Sequence, residues 1–279
     1  MNIVHSSVAH SPVAVFDSGV GGLSVLQALL LELPHERFVF LADEAYLPYG
    51  DKPQSLIASR VMDVASALHQ HGNKALVMAC NTATAAAASQ ARLRWPHWPI
   101  VGIEPAVKPA TLLTKTGVVG ILATSNTVAS ARFQALVERF DPLARVVAKP
   151  CPGLVELIEQ VPINETAVRE HLRPVMDAFQ ADGVDVIVLG CTHYPFVAPV
   201  IRQMAGEHVT VIETGRPVAR QLRHRLEEVG SHHEPELSVV PDAQRVQFYT
   251  TGSAEGFRKK LLSLMGSGWR DALVEHRVI

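Results

Sequence analysis

Short runs of continuous apolar residues alternate along the chain with longer segments in which apolar residues recur at helical spacing. Runs such as "KALVMAC" and "VDVIVLGC" have no polar interruption, which is typical of strands buried on both faces of a sheet. We predict strands at residues 13–18, 37–43, 74–80, 99–104, 117–124, 144–150, 184–191, 209–214 and 246–252. We predict helices at residues 21–33, 53–71, 81–94, 127–140, 165–181 and 215–229.

This alternation predicts an α/β protein in which mostly parallel sheets are flanked by helices. Two parts of the chain also resemble each other. "VAVFDSG", "LVMACNT" and "IVGIEP" are followed, in the same order and at similar spacing, by "VVGILATS", "VIVLGCTH" and "VTVIETG". We therefore predict two pseudo-symmetric α/β lobes with the active site in the cleft between them.

The division into lobes follows from this repeat. We predict that residues 1–103 plus 215–279 form the first lobe and residues 104–214 form the second. The late strand in "VQFYTTG" is assigned to the first lobe, because that lobe otherwise has few strands.

Composition and charge narrow the classes of partner. The chain has 279 residues, of which 48% are hydrophobic and 19% are charged, as expected for a globular protein with a sizeable core. The net charge of -2 gives no basic surplus, so we expect neither a nucleic-acid nor a membrane partner. We interpret the basic run "RKK" (258–260) as a solvated helix face. The first dozen residues do not have the pattern of a signal peptide, and no apolar run is long enough to span a membrane.

The three cysteines are widely and irregularly spaced, which argues against a disulfide framework and against a zinc site of the Cys-x-x-Cys type. We therefore expect reduced thiols, a cytoplasmic location and no metal. The pair His232 and His233, in the polar segment "GSHHEPE", is not enough to predict a metal site. No pattern sets the oligomeric state, and a homodimer is one option.

Two of the cysteines are candidates for a role in catalysis or binding. Cys80 and Cys191 each end a predicted strand, at the sheet edge where α/β proteins bind ligands. Each also precedes a helix-like segment, "NTATAAAASQARLR" after Cys80 and "THYPFVAPVIRQM" after Cys191. A helix N-terminus is expected to lower the pKa of a thiol. A buried cysteine can simply act as a small apolar residue, but two at equivalent positions of a repeat favour a function. Cys151 has no counterpart and is expected to be structural.

Two thiols facing each other across a cleft suit the inversion of a stereocentre by proton transfer. One group removes a proton from one face of the carbon, and the other returns a proton to the opposite face. The first strand also ends in "FDSGVGGLSVL", where Asp17 and Ser18 precede a glycine-rich turn. Its pattern is too incomplete for a dinucleotide site, and we expect its N–H groups to hold a carboxylate or amine of the substrate. Tyr49 and Gly50, in "YLPYGDK", are candidates for a further ligand contact.

The motifs "FDSGVGGL", "LPYGDK", "ACNTATA", "GIEPAVKPA", "LGCTHYP" and "FYTTG", in this order, resemble those of the glutamate racemases, in the cofactor-independent aspartate/glutamate racemase family. The resemblance covers most of the chain, from Val13 to about Gly252. It implies interconversion of L- and D-glutamate without pyridoxal phosphate, any other cofactor or metal, which supplies D-glutamate for peptidoglycan.

The resemblance also implies roles for individual residues. Cys80 would handle the α-proton of the D-isomer with help from Asp17, and Cys191 that of the L-isomer with help from His193. The residues that would hold the substrate are Asp17, Ser18, Tyr49, Gly50, Asn81, Thr82, Thr192 and His193. The segment "CPGLVELIE" resembles one that carries a functional glutamate, for which Glu159 is the match and the nearby Glu156 the alternative.

Three other functions remain open at this point. A related enzyme could racemise aspartate or another carboxylate. A cysteine hydrolase could use Cys191 with His193, although a spacing of two residues is poor geometry for such a pair and leaves Cys80 unexplained. A two-lobed amino-acid-binding protein would bind without proton exchange, but the paired thiols speak against it.

Overall fold

The computed structural model describes residues 11–140, 142–232 and 240–279. The strands in this part of the chain are β1 (Val13–Asp17), β2 (Phe38–Ala42), β3 (Ala75–Met78), β4 (Ile100–Gly102), β5 (Val118–Ala123), β6 (Arg145–Pro150), β7 (Val186–Gly190), β8 (Thr210–Ile212), β9 (Val246–Thr250) and β10 (Val274–His276). The α-helices are α1 (Leu23–Glu32), α2 (Gln54–Gln70), α3 (Asn81–Arg94), α4 (Val107–Leu113), α5 (Ser125–Ala129), α6 (Ala131–Phe140), α7 (Leu154–Glu159), α8 (Glu165–Ala181), α9 (Ala198–Ala205), α10 (Gly215–Glu228), α11 (Asp242–Arg245) and α12 (Ala254–Met265). Short 3-10 helices lie at Glu44–Tyr46, Tyr49–Asp51, Tyr194–Val197 and Ser267–Trp269.

The strands form two sheets, and each sheet with its helices is one lobe. The first sheet has the order β10-β9-β2-β1-β3-β4 and the second has the order β6-β5-β7-β8. Every strand pair within them is parallel, which confirms the predicted α/β fold class. β9 pairs with β2, so the late strand lies in the first sheet. The lobe boundaries at residues 103/104 and 214/215 stay a prediction, because both sheets end short of them.

Both faces of each sheet are buried, which explains the continuous apolar runs. In β1, Val13 and Val15 pack in one core cluster of the first lobe, whereas Ala14 and Phe16 pack in the cluster on the opposite face. Strand β7 divides its side chains between two clusters of the second lobe in the same way. Successive side chains of a strand point to opposite faces, so a strand covered by helices on both sides needs apolar residues at every position.

All nine predicted strands are present, but several details of the prediction were wrong. The predicted helix 127–140 is two helices, because Ser130 adopts an extended backbone. Its hydroxyl donates to the Thr127 carbonyl and accepts from the Phe133 N–H, so it ends one helix and begins the next. Strand β10 and helices α4, α7 and α11 were not predicted, and α12 was expected only as the helix that carries residues 258–260. None of the helices in the described ranges is long and apolar enough to cross a membrane.

The parallel topology brings four chain segments to the cleft. The carboxyl ends of β1 and β3 lie at the same edge of the first sheet, next to each other. The carboxyl ends of β5 and β7 are likewise neighbours in the second sheet. Residues that follow these strands therefore become candidates for one shared site between the lobes.

Candidate active site

A narrow cavity lies between the two lobes and is lined by both cysteines. The residues of the first lobe that line it are Ser18, Pro48, Tyr49, Gly50, Cys80, Asn81 and Thr82. The residues of the second lobe that line it are Thr124, Val155, Cys191, Thr192 and His193. Most of the residues predicted for the site therefore lie together, with one thiol from each lobe, whereas Asp17 and Glu159 do not line the cavity.

Cys80 is the N-cap residue of α3. Its sulfur accepts the Ala83 N–H at 3.4 Å and donates to the Ser18 hydroxyl at 3.8 Å. The pKa of Cys80 is nevertheless raised well above its usual value, mainly by burial and further by the charge of Asp17. The Ala83 N–H at the start of the helix does lower this pKa, as expected, but burial and the charge of Asp17 outweigh it. One N–H of the helix does not offset the loss of solvent around a buried thiol.

Cys191 is paired with His193. The sulfur lies 3.8 Å from His193 Nδ1, because the chain turns immediately after β7, where the Tyr194 N–H donates to the Cys191 carbonyl at 3.2 Å. The turn thus places His193 beside the Cys191 sulfur, where the family resemblance implies that it assists this thiol. Burial would lower the pKa of His193, but hydrogen bonds and negative charge at Cys191 and Glu159 outweigh it and raise the pKa well above its usual value.

Glu159 lies behind His193 and outside the cavity wall. Its Oε1 is 2.7 Å from His193 Nε2 and also accepts the Val20 N–H at 2.9 Å. Burial would raise the pKa of this carboxyl, but its hydrogen bond with His193 and the charges of His193 and Lys260 lower it to about 2. Glu159, at the buried end of α7, is therefore the glutamate that contacts His193, whereas Glu156 is half-buried on another part of the helix.

Asp17 also lies behind the wall, and this changes the role expected for the glycine-rich turn. Asp17 Oδ2 accepts the N–H groups of Gly19 at 3.2 Å and Gly22 at 2.9 Å. The N–H of Val20 is used by Glu159, as described above. These three N–H groups therefore hold carboxylates of the protein, and the expectation that they hold the substrate was wrong. The pKa of the Asp17 carboxyl is raised above its usual value, mainly because this side chain is buried.

Hydroxyl groups from both lobes meet on another part of the wall. Thr82 Oγ1 lies 3.0 Å from Thr124 Oγ1, and Thr124 Oγ1 lies 2.9 Å from Thr127 Oγ1. Thr192 donates to Asp17 Oδ1 at 3.3 Å and so connects the cavity to the carboxylate behind it. The wall can therefore offer several hydroxyl donors to a polar ligand.

Asn81, Tyr49 and Gly50 complete the predicted set. Both polar side-chain atoms of Asn81 are buried and have no hydrogen-bond partner among the described residues. A buried amide without partners is costly, so this side chain is a strong candidate for a ligand contact. The Tyr49 hydroxyl instead donates to Asp43 at 2.6 Å, so Tyr49 lines the cavity with its other atoms. Gly50 lies against the Thr124 side chain of the other lobe.

Sequence reasoning missed Pro48, Thr124, Val155 and Lys260. Thr124 follows β5 as Ser18 follows β1, so the internal repeat carried a signal that would have identified it. Lys260 was assigned to a solvated helix face, which was wrong. Its ammonium lies 2.6 Å from Glu159 Oε2 and 2.6 Å from Glu44 Oε1, with 21% of the side chain exposed.

Cys151 is buried in a core cluster of the second lobe and does not line the cavity. All three cysteines are free. The described ranges contain no group of three or more His, Cys, Asp or Glu side chains suited to a metal ion. His233, one of the two histidines in the polar segment "GSHHEPE", lies outside the residues that the structure describes.

Comparison with known proteins points to one family. The family model for Asp/Glu/hydantoin racemases matches residues 29–222. A glutamate racemase from Ectopseudomonas mendocina is 46% identical over 258 residues, which cover 92% of this chain and 96% of the relative. The crystal structure of a glutamate racemase isoform from Bacillus anthracis has a TM-score of 0.86 at 29% identity and covers 97% of this chain and 98% of that one. The glutamate racemase of Francisella tularensis in complex with D-glutamate has a TM-score of 0.82 at 25% identity, with the same coverage.

Proposed function

The chain belongs to the Asp/Glu/hydantoin racemase family and racemises glutamate, and we propose that Cys80 and Cys191 are its two acid–base groups. The observation that carries the assignment is that both thiols line one narrow cavity, each from a different lobe. This arrangement supplies one acid–base group to each face of a substrate carbon held between them. The product D-glutamate serves peptidoglycan synthesis.

In the direction from L-glutamate, Cys191 removes the α-proton. The C–H bond breaks, the proton moves to the Cys191 sulfur, and the planar carbanion receives a proton from the Cys80 thiol on the opposite face. The raised pKa of Cys80 suits a proton donor, because burial keeps the thiol protonated. The His193 imidazolium faces the Cys191 sulfur and stabilises negative charge there.

In the direction from D-glutamate, the roles exchange. Cys80 removes the proton, and Cys191 returns one to the other face. We assign to Asp17 an electrostatic role at Cys80, since its charge already contributes to the pKa of that thiol. Glu159 acts through His193, which it holds by a 2.7 Å contact.

The substrate carboxylates would be held by neutral donors. Ser18 and Thr82 supply hydroxyl groups, and Asn81 supplies an amide with no other partner among the described residues. Thr192 can donate to the substrate only when its hydroxyl leaves Asp17. None of the residues that line the cavity is an arginine or a lysine. Neutral donors in a site with little water can stabilise the negative charge that develops on the substrate during proton transfer.

The test is proton exchange and loss of optical activity with L-glutamate in deuterated water, followed by NMR and circular dichroism. We expect the wild-type protein to exchange the α-proton and to reduce the optical signal to zero. Cys80→Ala and Cys191→Ala should each lower the rate of racemisation by roughly 10³-fold or more, as expected for loss of an acid–base group. Cys151→Ala is the matched control and should keep the wild-type rate. Full activity in either active-site variant would contradict the assignment.

A second candidate, cysteine-dependent hydrolysis, is favoured by one observation: Cys191, His193 and Glu159 form a consecutive chain of contacts. A nucleophile, a base and a group that orients the base are arranged in this way in hydrolases. Release of ammonia or an acyl product, unaffected by Cys80→Ala, would support it. Exchange with aspartate in place of glutamate would instead indicate the related racemase.

Two further properties are proposed with this function. The three free cysteines support a cytoplasmic location, where thiols stay reduced. A homodimer remains the assembly to be tested, and sedimentation equilibrium would decide it.

A further inference from the structure

Lys260 connects the two lobes behind the cavity. It lies on α12, which belongs to the first lobe, and its ammonium is 2.6 Å from Glu159 Oε2 in the second lobe. We propose that Lys260 is a positioning residue for the Cys191 half of the site, where it holds the Glu159 carboxylate against His193. This inference rests on the proposed two-cysteine function and assigns it a residue that the sequence motifs do not include.

The two oxygens of Glu159 have separate partners. Oε1 accepts from His193 Nε2 and from the Val20 N–H, whereas Oε2 accepts from Lys260. Without Lys260, Oε2 would have no partner among the described residues, and the carboxylate could rotate away from His193. Lys260 therefore fixes the orientation of the group that orients the imidazole beside Cys191.

Lys260 is itself fixed from the first lobe. Its ammonium lies 2.6 Å from Glu44 Oε1, and Glu44 Oε2 accepts the Thr250 hydroxyl at 2.6 Å. Thr250 Oγ1 in turn accepts the Gly252 N–H at 3.0 Å. A continuous series of hydrogen bonds and ion pairs thus runs from the end of β9 through Lys260 and Glu159 to His193. Each link has a buried or half-buried partner, so solvent screens these contacts less than it screens surface ion pairs.

The neighbouring Lys259 provides a matched comparison on the same helix. It pairs with Glu255 of α12 at 2.8 Å, and these side chains are 70% and 77% exposed. Such a pair within one exposed helix face contributes little to stability and does not reach the second lobe. Lys259→Met removes the same charge from the same helix turn without touching Glu159.

The experiment compares Lys260→Met, Lys260→Arg and Lys259→Met by racemisation of glutamate that carries deuterium at Cα. Because enantiomers have equal free energy, kcat/KM must fall equally in both directions, and we expect a loss of up to about a hundredfold for Lys260→Met. The diagnostic is the isotope effect on kcat/KM. If proton transfer at Cys191 is slowed selectively, this effect should rise with labelled L-glutamate and fall with labelled D-glutamate.

Lys260→Arg should restore most of the activity, and Lys259→Met should match the wild type. An unchanged rate for Lys260→Met would overturn the proposal. A fall in kcat/KM without a change in either isotope effect would also overturn it, because that result would indicate a purely structural role.

A second measurement does not depend on activity. In protein labelled with ¹⁵N-histidine, the imidazole Nε2–H signal of His193 should broaden or disappear in Lys260→Met and persist in Lys259→Met. If the wild-type protein failed to racemise glutamate, the proposed function would fail, while this signal would still test whether Lys260 holds the Glu159–His193 pair. A signal unchanged in Lys260→Met would overturn the positioning role.

Discussion

Gly21 of the first lobe lies directly against His193 of the second. A Cβ atom built on Gly21 would lie 2.3 Å from His193 Nδ1 and 2.7 Å from Thr192 Oγ1. Nδ1 is also the atom that faces the Cys191 sulfur. Gly21 does not adopt a positive φ, so backbone conformation does not require glycine at this position. Glycine is required because the two lobes approach each other so closely that a Cβ atom would not fit.

We expect Gly21→Ala to displace the imidazole from Cys191 and to lower kcat/KM for glutamate by about a hundredfold, because small displacements of an acid–base group have effects of this size. The variant should still be folded, as judged by its circular dichroism spectrum. Gly268→Ala is the control, since a Cβ at Gly268 would meet nothing within 4 Å. Equal kcat/KM values for the two variants would show that the contact has no catalytic importance.

Replacing Asn81 with alanine should weaken substrate binding without lowering the stability of the folded protein. Its amide is buried without a protein partner, so Asn81→Ala should leave the melting temperature unchanged or raise it. The same change should raise KM for glutamate by about tenfold. This corresponds to the loss of roughly 1.4 kcal/mol of binding free energy from the hydrogen bonds between Asn81 and the substrate. Calorimetry and initial rates measure the two quantities.

The control for Asn81 is Thr84, on the same helix. Its hydroxyl donates to the Met78 carbonyl at 3.2 Å and accepts the Ile103 N–H at 3.1 Å. Thr84→Val should therefore lower the melting temperature and leave KM unchanged. A drop in melting temperature without a change in KM for Asn81→Ala would refute the proposed ligand contact.

Glu159 should contribute to stability in a defined pH range. Its pKa in the folded protein, about 2, lies below the ordinary value of 4.5. The folded state therefore favours the ionised carboxyl, and this stabilisation is complete above pH 4.5 and is lost as the pH falls from 4.5 towards 2. It amounts to about 3 kcal/mol in the free energy of unfolding.

Glu159→Gln removes this group, so its free energy of unfolding should fall less steeply with pH between pH 5 and pH 3 than that of the wild type. Urea unfolding at a series of pH values measures the slope. The control is Gln160→Ala, at the exposed residue next to Glu159, which removes no titratable group and should keep the wild-type slope. Parallel curves for Glu159→Gln and the wild type would mean that the ion pairs with His193 and Lys260 do not stabilise the fold.

The strands and the two thiols could be predicted because their signals are local. A run such as residues 186–190 is apolar at every position, and the polar residue that follows marks the sheet edge. Strand β10 lacked this signal, because Val274, Glu275 and His276 lie at the edge of the sheet, where full burial is not required. Helices such as α7 are too short to show a helical period.

The contacts behind the cavity could not be predicted from local pattern, because they join residues far apart in the chain. Nothing around Lys260 distinguishes it from Lys259, and only the pairing of β9 with β2 brings α12 near Glu44 and Glu159. The same limit applies to the glycine-rich turn. Its sequence shows that N–H groups are available, but it does not show that Asp17 and Glu159 use them.

The position of β9 has a consequence for synthesis of the chain. The four strands of the second sheet all lie between residues 118 and 212. In the first sheet, by contrast, the edge of β2 that faces away from β1 is paired only by β9, which begins at residue 246. A chain that emerges from the ribosome can therefore complete the second sheet while the first still exposes an unpaired strand edge. Since α12 follows β9, the link from Lys260 to Glu159 is among the last contacts to form, and a nascent chain that stops before residue 246 lacks it.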